Sequence, residues 1–101
     1  MNTIPEMQKY MAGKVIERGF DTQDGVDLGL LLTEEVGELA KAIRKRHIGV
    51  ASDAVVGDIG LECADILIYL LQIATYYKVD LQQAFLEKEA INNTRKWGFK
   101  G

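Results

Sequence analysis

The sequence predicts an all-α protein, a four-helix bundle completed by homo-oligomerisation. Two observations lead to this class. First, four segments with helical apolar spacing together cover roughly 70% of the chain, about twice the helical share of an average globular protein. Second, residues 59–79 are apolar almost all the way round, so this helix belongs inside an assembly. A chain of 101 residues is too small to bury such a helix on every side, and we expect a second copy to cover it.

The first two helices follow recognisable start signals. Thr3 and Glu6 have the spacing of a capping box, which predicts a helix over residues 4–18. Residues 20–25 are rich in turn-forming side chains and form the predicted linker. The apolar period then resumes, and a second helix is predicted over residues 26–46.

The second half of the chain is predicted to contain a loop and two more helices. Residues 47–58 include two glycines and a Ser-Asp pair without a helical period, which favours a loop. The third helix is predicted over residues 59–79. Asp80 is a favoured N-cap residue and predicts a fourth helix over residues 81–96. Nothing divides the chain, so residues 1–101 are expected to form a single domain.

Charge and composition limit the partners of the protein. A formal net charge of -3 gives no general attraction to nucleic acid polymers or to anionic membranes. Residues 59–79 approach the length of a membrane span, but Glu62, Asp65 and Gln72 argue against that placement. The first residues show no signal-peptide pattern, and the single cysteine, Cys63, fits a reducing compartment. We therefore expect a cytoplasmic protein.

Two acidic pairs at i,i+3 spacing carry the main functional signal. Glu35 lies within the leucine-rich stripe of the second helix, with Glu38 at its border, and Glu62 and Asp65 form a pair on the third helix. Carboxylates that converge in a poorly hydrated site repel one another, and an all-oxygen ligand set favours Mg²⁺, with Mn²⁺ as a substitute. A di-iron bundle is the competing interpretation, but it requires Glu-x-x-His on two helices, and the only histidine, His47, falls in the predicted loop.

The fourth helix adds a line of cationic and amide side chains. Asn92 and Arg95 lie within about 40° of Lys88 on the helical wheel, along an otherwise apolar face. Beside a carboxylate–metal site, such groups can bind the phosphates of a ligand on the side away from the metal. Without a ligand, Lys88 and Arg95 could instead pair with the acids of the other helices.

Together these residues resemble the MazG-like all-α nucleoside triphosphate pyrophosphohydrolases, a superfamily with the dimeric dUTPases and the phosphoribosyl-ATP pyrophosphohydrolases. The pattern Glu-Glu-x-x-Glu stands at residues 34–38, Glu-x-x-Asp at residues 62–65 after 23 intervening residues, and Lys-x-x-x-Asn at residues 88–92. The resemblance implies that the metal ligands are Glu35, Glu38, Glu62 and Asp65, and that Lys88, Asn92 and Arg95 bind the substrate phosphates.

The resemblance also implies an activity: Mg²⁺-dependent hydrolysis of (deoxy)nucleoside triphosphates to the monophosphate and pyrophosphate, as house-cleaning of the nucleotide pool. Glu34 or Glu38 would accept the proton of the attacking water. Phe20 and Trp97 are candidates for stacking on the base. Members of the family usually work as homodimers or dimers of dimers, which agrees with the argument from residues 59–79.

A second hypothesis comes from another functional class. The chain could be a non-catalytic helical interaction module, with its acids in salt bridges at an interface between subunits. This hypothesis predicts that Mg²⁺ does not change the thermal stability, whereas a ligand that binds only the folded state must raise it.

Overall fold

The computed structural model of the protein describes residues 1–48 and 58–95 in full. Of residues 53–57 it describes the backbone only. Within these ranges the chain forms four helices and no strand: α1 Ile4–Glu17, α2 Gly25–His47, α3 Asp53–Tyr76 and α4 Leu81–Thr94. The all-α prediction is therefore confirmed, and the helix order is the predicted one.

Three of the helices begin at side-chain caps, of which Thr3 and Asp80 were predicted from the sequence and Asp24 was not. The backbone N–H of Glu6 donates to Thr3 Oγ1 at 3.3 Å, and Asp80 Oδ1 accepts from the third residue of α4 at 3.0 Å. At α2, Asp24 and Asp27 form a reciprocal box, in which each side chain accepts from the other residue's backbone N–H. Each such cap contributes about 1 kcal/mol to helix stability, so these start positions are set locally.

The prediction of a loop over residues 47–58 is wrong, because most of these residues that the structure describes are helical. His47 is the last residue of α2, and α3 already begins at Asp53. Gly57 suggested a loop, but a glycine inside a helix costs only about 1 kcal/mol relative to alanine. The 24-residue α3 tolerates that cost, since its other turns continue the hydrogen-bond ladder on both sides. Residues 49–52 lie outside the described part.

Helix α3 ends at Tyr76, three residues earlier than predicted. Lys78 adopts a left-handed backbone with φ 58°. The N–H of Val79 donates to the carbonyl of Ala74 at 2.7 Å, and that of Lys78 donates to Thr75 at 3.1 Å. These two bonds form a Schellman motif, which satisfies the last carbonyls of the helix and turns the chain toward α4.

The same motif ends α1 and fixes the start of the linker. Gly19 has φ 75°, the N–H of Phe20 donates to Val15 at 2.8 Å, and that of Gly19 donates to Ile16 at 3.1 Å. Glycine suits this left-handed position because it has no Cβ. The turn brings Phe20 back beside the last turn of α1, where it lines a cavity together with Val15.

Helix α3 is the central element of the fold. It packs along α2 and against α1, while α4 contacts α1. The buried hydrophobic side chains among the described residues are Met11, Leu28, Ala42, Leu71 and Ala74. Gln8 ties α1 to the α3–α4 turn, because its amide donates to Val79 O at 2.9 Å and accepts from Leu81 N at 3.0 Å.

Much apolar surface stays uncovered in the single chain. Leu61 on α3 is 68% exposed and Phe85 on α4 is 66% exposed, and Leu70, Leu86 and Ile91 are also exposed. So many exposed large apolar side chains on two helices are consistent with surface that a partner covers.

One helix in the described ranges, Asp58–Tyr76, is long and apolar enough by composition to span a membrane. In this fold the helix packs against α1 and α2 and carries Glu62, Asp65 and the buried Gln72. Those polar groups favour a core helix over a membrane span.

Candidate active site

Three carboxylates from two helices converge at one point between α2 and α3. Glu35 comes from α2, and Glu62 and Asp65 come from α3 one turn apart. Each offers a carboxylate oxygen, and these oxygens all lie within 4.8 Å of one another. Glu35 and Glu62 are half-buried, while Asp65 is exposed, so the cluster is open on one side.

The cluster contains a polar atom without a partner. Glu62 Oε2 is enclosed, and no hydrogen bond reaches it from the part of the chain that the structure describes. Buried polar atoms are normally paired, because an unpaired one costs free energy. Three oxygen donors within this distance, one of them enclosed and unpaired, fit a divalent cation with hard oxygen ligands.

The pKa values in the cluster are shifted in the direction expected for acids that lie close together. Burial raises the pKa of Glu35, and so does the neighbouring Glu62 carboxylate, to which the protonated form of Glu35 can donate a hydrogen bond. The charges of Asp65, Glu62 and Glu38 raise it further. Burial also raises the pKa of Tyr69, as do the charges of nearby acids, Glu35 first among them. Both shifts mean that extra negative charge is unfavourable here and that a cation would be stabilised.

A cavity of about 280 Å³ opens beside the acids. Glu35 and Asp65 form one part of its wall, and Phe20 and Tyr69 contribute aromatic surface. Arg18, Gln23, Leu31, Ile68 and Gln72 complete the lining. Carboxylates, aromatic rings and amides around one cavity are suited to a ligand that has both a charged and a flat apolar part.

The other two predicted acids, Glu34 and Glu38, are exposed and are not part of the three-carboxylate cluster. Glu38 is exposed and lies outside the three-carboxylate cluster, although its charge acts on Glu35. Glu34 is exposed as well, and its charge acts on Tyr69. Both side chains therefore border the site without joining the cluster.

The predicted phosphate-binding residues lie on a helix that packs away from α2. Helix α4 contacts α1, and no ion pair links Lys88 to the acids within residues 1–48 and 58–95. Asn92 is half-buried, and its Oδ1 is enclosed without a hydrogen-bond partner among those residues. Arg95 forms the C-cap of α4, and its N–H donates to Asn92 O at 3.2 Å.

Of the two aromatic residues predicted near the base, Phe20 lines the cavity beside the acids, and Trp97 lies outside the described residues. Several lining residues were not assigned to a site from the sequence. Tyr69 and Gln72 had a signal, because they share the wheel face of Glu62 and Asp65. Gln23 had none, since its position depends on how the linker folds.

The fold and this cluster define an all-helical protein with an acidic site between two helices. The sequence model of the MazG nucleotide pyrophosphohydrolase domain family matches residues 23–96. The chain is also 36% identical over 95 residues to a protein of Cyanophage S-2L named dATP/dGTP diphosphohydrolase. The alignment covers 94% of this chain and 78% of that relative.

The chain therefore belongs to the MazG nucleotide pyrophosphohydrolase family. The matched residues include both acidic pairs and all of α3 and α4. The expectation of an enzyme that hydrolyses nucleoside triphosphates is confirmed, and the hypothesis of a non-catalytic helical module loses its support.

Proposed function

We propose that the protein is a Mg²⁺-dependent pyrophosphohydrolase that cleaves (deoxy)nucleoside triphosphates to the monophosphate and pyrophosphate. Water adds across one phosphoanhydride bond in this reaction, so no oxidant or second substrate is needed. The observation that carries the proposal is the convergence of Glu35, Glu62 and Asp65 beside a cavity with aromatic walls. A role in removing unwanted nucleotides from the cytoplasmic pool would follow.

Glu35, Glu62 and Asp65 would hold the Mg²⁺. When bound, the ion neutralises phosphate oxygens and activates water. Three carboxylates leave one negative charge after a single divalent ion, and the charge of the nearby Glu38 adds to it. Mn²⁺, with the same oxygen preference, is expected to substitute.

Glu34 and Glu38 are the candidates for the proton acceptor. Both are exposed at the border of the cluster, where a carboxylate keeps access to water. Each influences a different group of the site, Glu34 acting on Tyr69 and Glu38 on Glu35. Single Glu→Gln variants at the two positions separate them, since only the acceptor should change the pH profile of kcat.

The substrate phosphates would be bound by Lys88, Asn92 and Arg95, and the base would stack on Phe20 and Trp97. The enclosed, unpartnered Oδ1 of Asn92 is an acceptor and needs a donor, whereas the NH₂ group of the same amide would donate to a phosphate oxygen. The S-2L relative is named for dATP and dGTP, and the alignment covers most of both chains. We therefore propose purine deoxynucleoside triphosphates as the substrates.

The active form is proposed to be a homodimer or a dimer of dimers. The exposed Leu61, Phe85, Leu86 and Ile91 form apolar surface that a second copy can cover. In the single chain the described core contains five buried hydrophobic residues, which is little for a stable domain of this size.

The decisive assay incubates purified protein with Mg²⁺ and each deoxy- and ribonucleoside triphosphate, and identifies the products. We expect pyrophosphate and the monophosphate, with no reaction in the presence of EDTA. Release of orthophosphate instead, or no hydrolysis of any triphosphate, would refute the proposal. For the Glu34→Gln and Glu38→Gln variants, the matched control is Glu87→Gln, because Glu87 is exposed on α4 and bonds only to Gln83 among the described residues.

A further inference from the structure

Two cavities meet at one shared wall beside the acids. The first holds about 280 Å³ and includes Glu35 and Asp65. The second holds about 250 Å³ and is lined mainly by apolar side chains of α1, α2 and α3. Phe20, Gln23 and Gln72 line both cavities, so these side chains stand between the acidic and the apolar space.

Gln72 is the unusual residue of this wall. It is the buried polar side chain of the described structure, with 9% of its surface exposed. No hydrogen bond reaches its amide from any described residue, whereas the other glutamine near the core, Gln8, bonds to Val79 and Leu81. The enclosed unpartnered atoms of the described structure are Glu62 Oε2 and Asn92 Oδ1, so the amide of Gln72 remains accessible from the two cavities that it lines. There it can form hydrogen bonds with water or with a ligand.

The polar face of α3 arranges three side chains in a fixed order. Asp65, Tyr69 and Gln72 follow one another at four- and three-residue steps and therefore share one face. Seven residues at 1.5 Å each separate Asp65 from Gln72 by about 10 Å along the axis. A nucleotide also has a fixed order of phosphates, sugar and base. If its phosphates lie at the acids, its sugar lies near Tyr69 and its base reaches Gln72.

We propose that Gln72 and Gln23 select a purine base by binding its hydrogen-bonding edge, while Phe20 provides the stacking surface. The inference rests on the proposed function and names the residues that set its specificity. A carboxamide has one acceptor oxygen and a donor NH₂ group. One orientation pairs with the N6 amino group and a ring nitrogen of adenine, and the flipped orientation pairs with O6 and N1–H of guanine. One glutamine can thus accept both purines.

The distance along α3 favours purines over pyrimidines. A purine extends its outer edge farther from the sugar than a pyrimidine does, by the width of its second ring. The apolar cavity behind Gln72, next to Val15 and Leu28, provides the depth for that second ring. With its phosphates held at the acids, a pyrimidine would leave the Gln72 amide unsatisfied, and a ligand that does so is rejected.

The test measures kcat/KM for dATP, dGTP, dCTP and dTTP with three variants. Gln72→Leu keeps the size of the side chain but removes both polar groups, and we expect the purine values to fall roughly tenfold to a hundredfold while the pyrimidine values change little. Gln72→Glu can accept from N1–H and the 2-amino group of guanine but repels N1 of adenine. It should therefore raise the dGTP to dATP ratio about tenfold or more. Gln82→Leu, at an exposed position of α4, is the matched control and should change none of these values.

The test compares the ratio of kcat/KM between purine and pyrimidine substrates, because a general loss of activity lowers all four values and leaves that ratio unchanged. If wild-type protein hydrolyses no triphosphate, the proposed function and this inference both fail. If it is active but both Gln72 variants change all four substrates equally, only the specificity inference is overturned. Gln23→Leu, on the linker side of the wall, gives a second reading of the same purine preference should Gln72→Leu fold poorly.

Discussion

The most informative single change is Glu35→Gln, because the cluster predicts two effects of opposite sign. Glu35 lies with Glu62 and Asp65 within 4.8 Å, and its raised pKa reflects burial and the repulsion of its neighbours. Glutamine keeps the shape of the side chain and removes its charge. Without metal, the variant should therefore melt at a higher temperature than the wild type, whereas an ordinary destabilising substitution lowers the melting temperature.

With metal the order should reverse. At a Mg²⁺ concentration ten times its Kd, binding to the folded wild type adds about 1.4 kcal/mol to the free energy of unfolding. For a domain of this size that corresponds to a rise in Tm of about 6–11 °C. Loss of a direct ligand should weaken metal binding at least about 100-fold. The same Mg²⁺ concentration should then shift the Tm of the variant by less than about 1 °C.

The assay is thermal unfolding followed by circular dichroism, with EDTA or with Mg²⁺, alongside pyrophosphate release from dATP. Glu17→Gln is the control, because Glu17 is paired with Lys14 on the outer face of α1. A variant that melts below the wild type in EDTA, or that keeps the full Mg²⁺ response, would contradict the assignment of Glu35 to a cation site.

Three further predictions concern pH, packing and assembly. The folded pKa of Glu35 lies above its ordinary value of 4.5, so its charge destabilises the metal-free protein at pH values above that raised pKa. The Tm advantage of Glu35→Gln should thus be largest near pH 8 and disappear as the pH falls toward about 4.5; a constant advantage across this range would be the contrary result. Gln8→Ala removes two hydrogen bonds at the α3–α4 turn and should cost about 1–2 kcal/mol in urea unfolding, while the exposed Gln82→Ala costs nothing measurable. Helix α4 contacts α1 of its own chain, and we expect its Lys88 to bind the substrate in the partner's site. Co-expression of Glu35→Gln chains with Lys88→Ala chains should therefore restore the activity that each homo-oligomer lacks. Mixed oligomers as inactive as the parents would place Lys88 in the site of its own chain.

Short-range chemistry made much of this fold predictable from the sequence. Thr3 and Asp80, the two caps predicted here, each bond to a backbone N–H three residues further on, and Asp24 makes the same contact although it was not predicted. Such contacts need no tertiary structure, so sequence spacing is enough to find them. The start of α3 was missed for the complementary reason, since a glycine weakens a helix without ending it and its neighbours decide the outcome.

The acidic site was partly predictable. Helical periodicity gives the direction of a side chain around its own axis, so the sequence placed Glu35, Glu62 and Asp65 on inward faces. Periodicity does not give the distance between two helices. The helical wheel already placed Glu38 at the border of its stripe, but only the tertiary structure shows that it lies outside the three oxygens within 4.8 Å.

The sequence by itself determined the helical class, the caps at Thr3 and Asp80 and the acidic pairs that mark the family. Only the tertiary structure decided which residues surround the cavity. Phe20 and Gln23 come from a linker without any period, and they reach Gln72 because the left-handed Gly19 turns the chain back over the end of α1. The physical reason is that capping and helical direction depend on neighbours within a turn, whereas a cavity depends on the relative positions of segments about fifty residues apart.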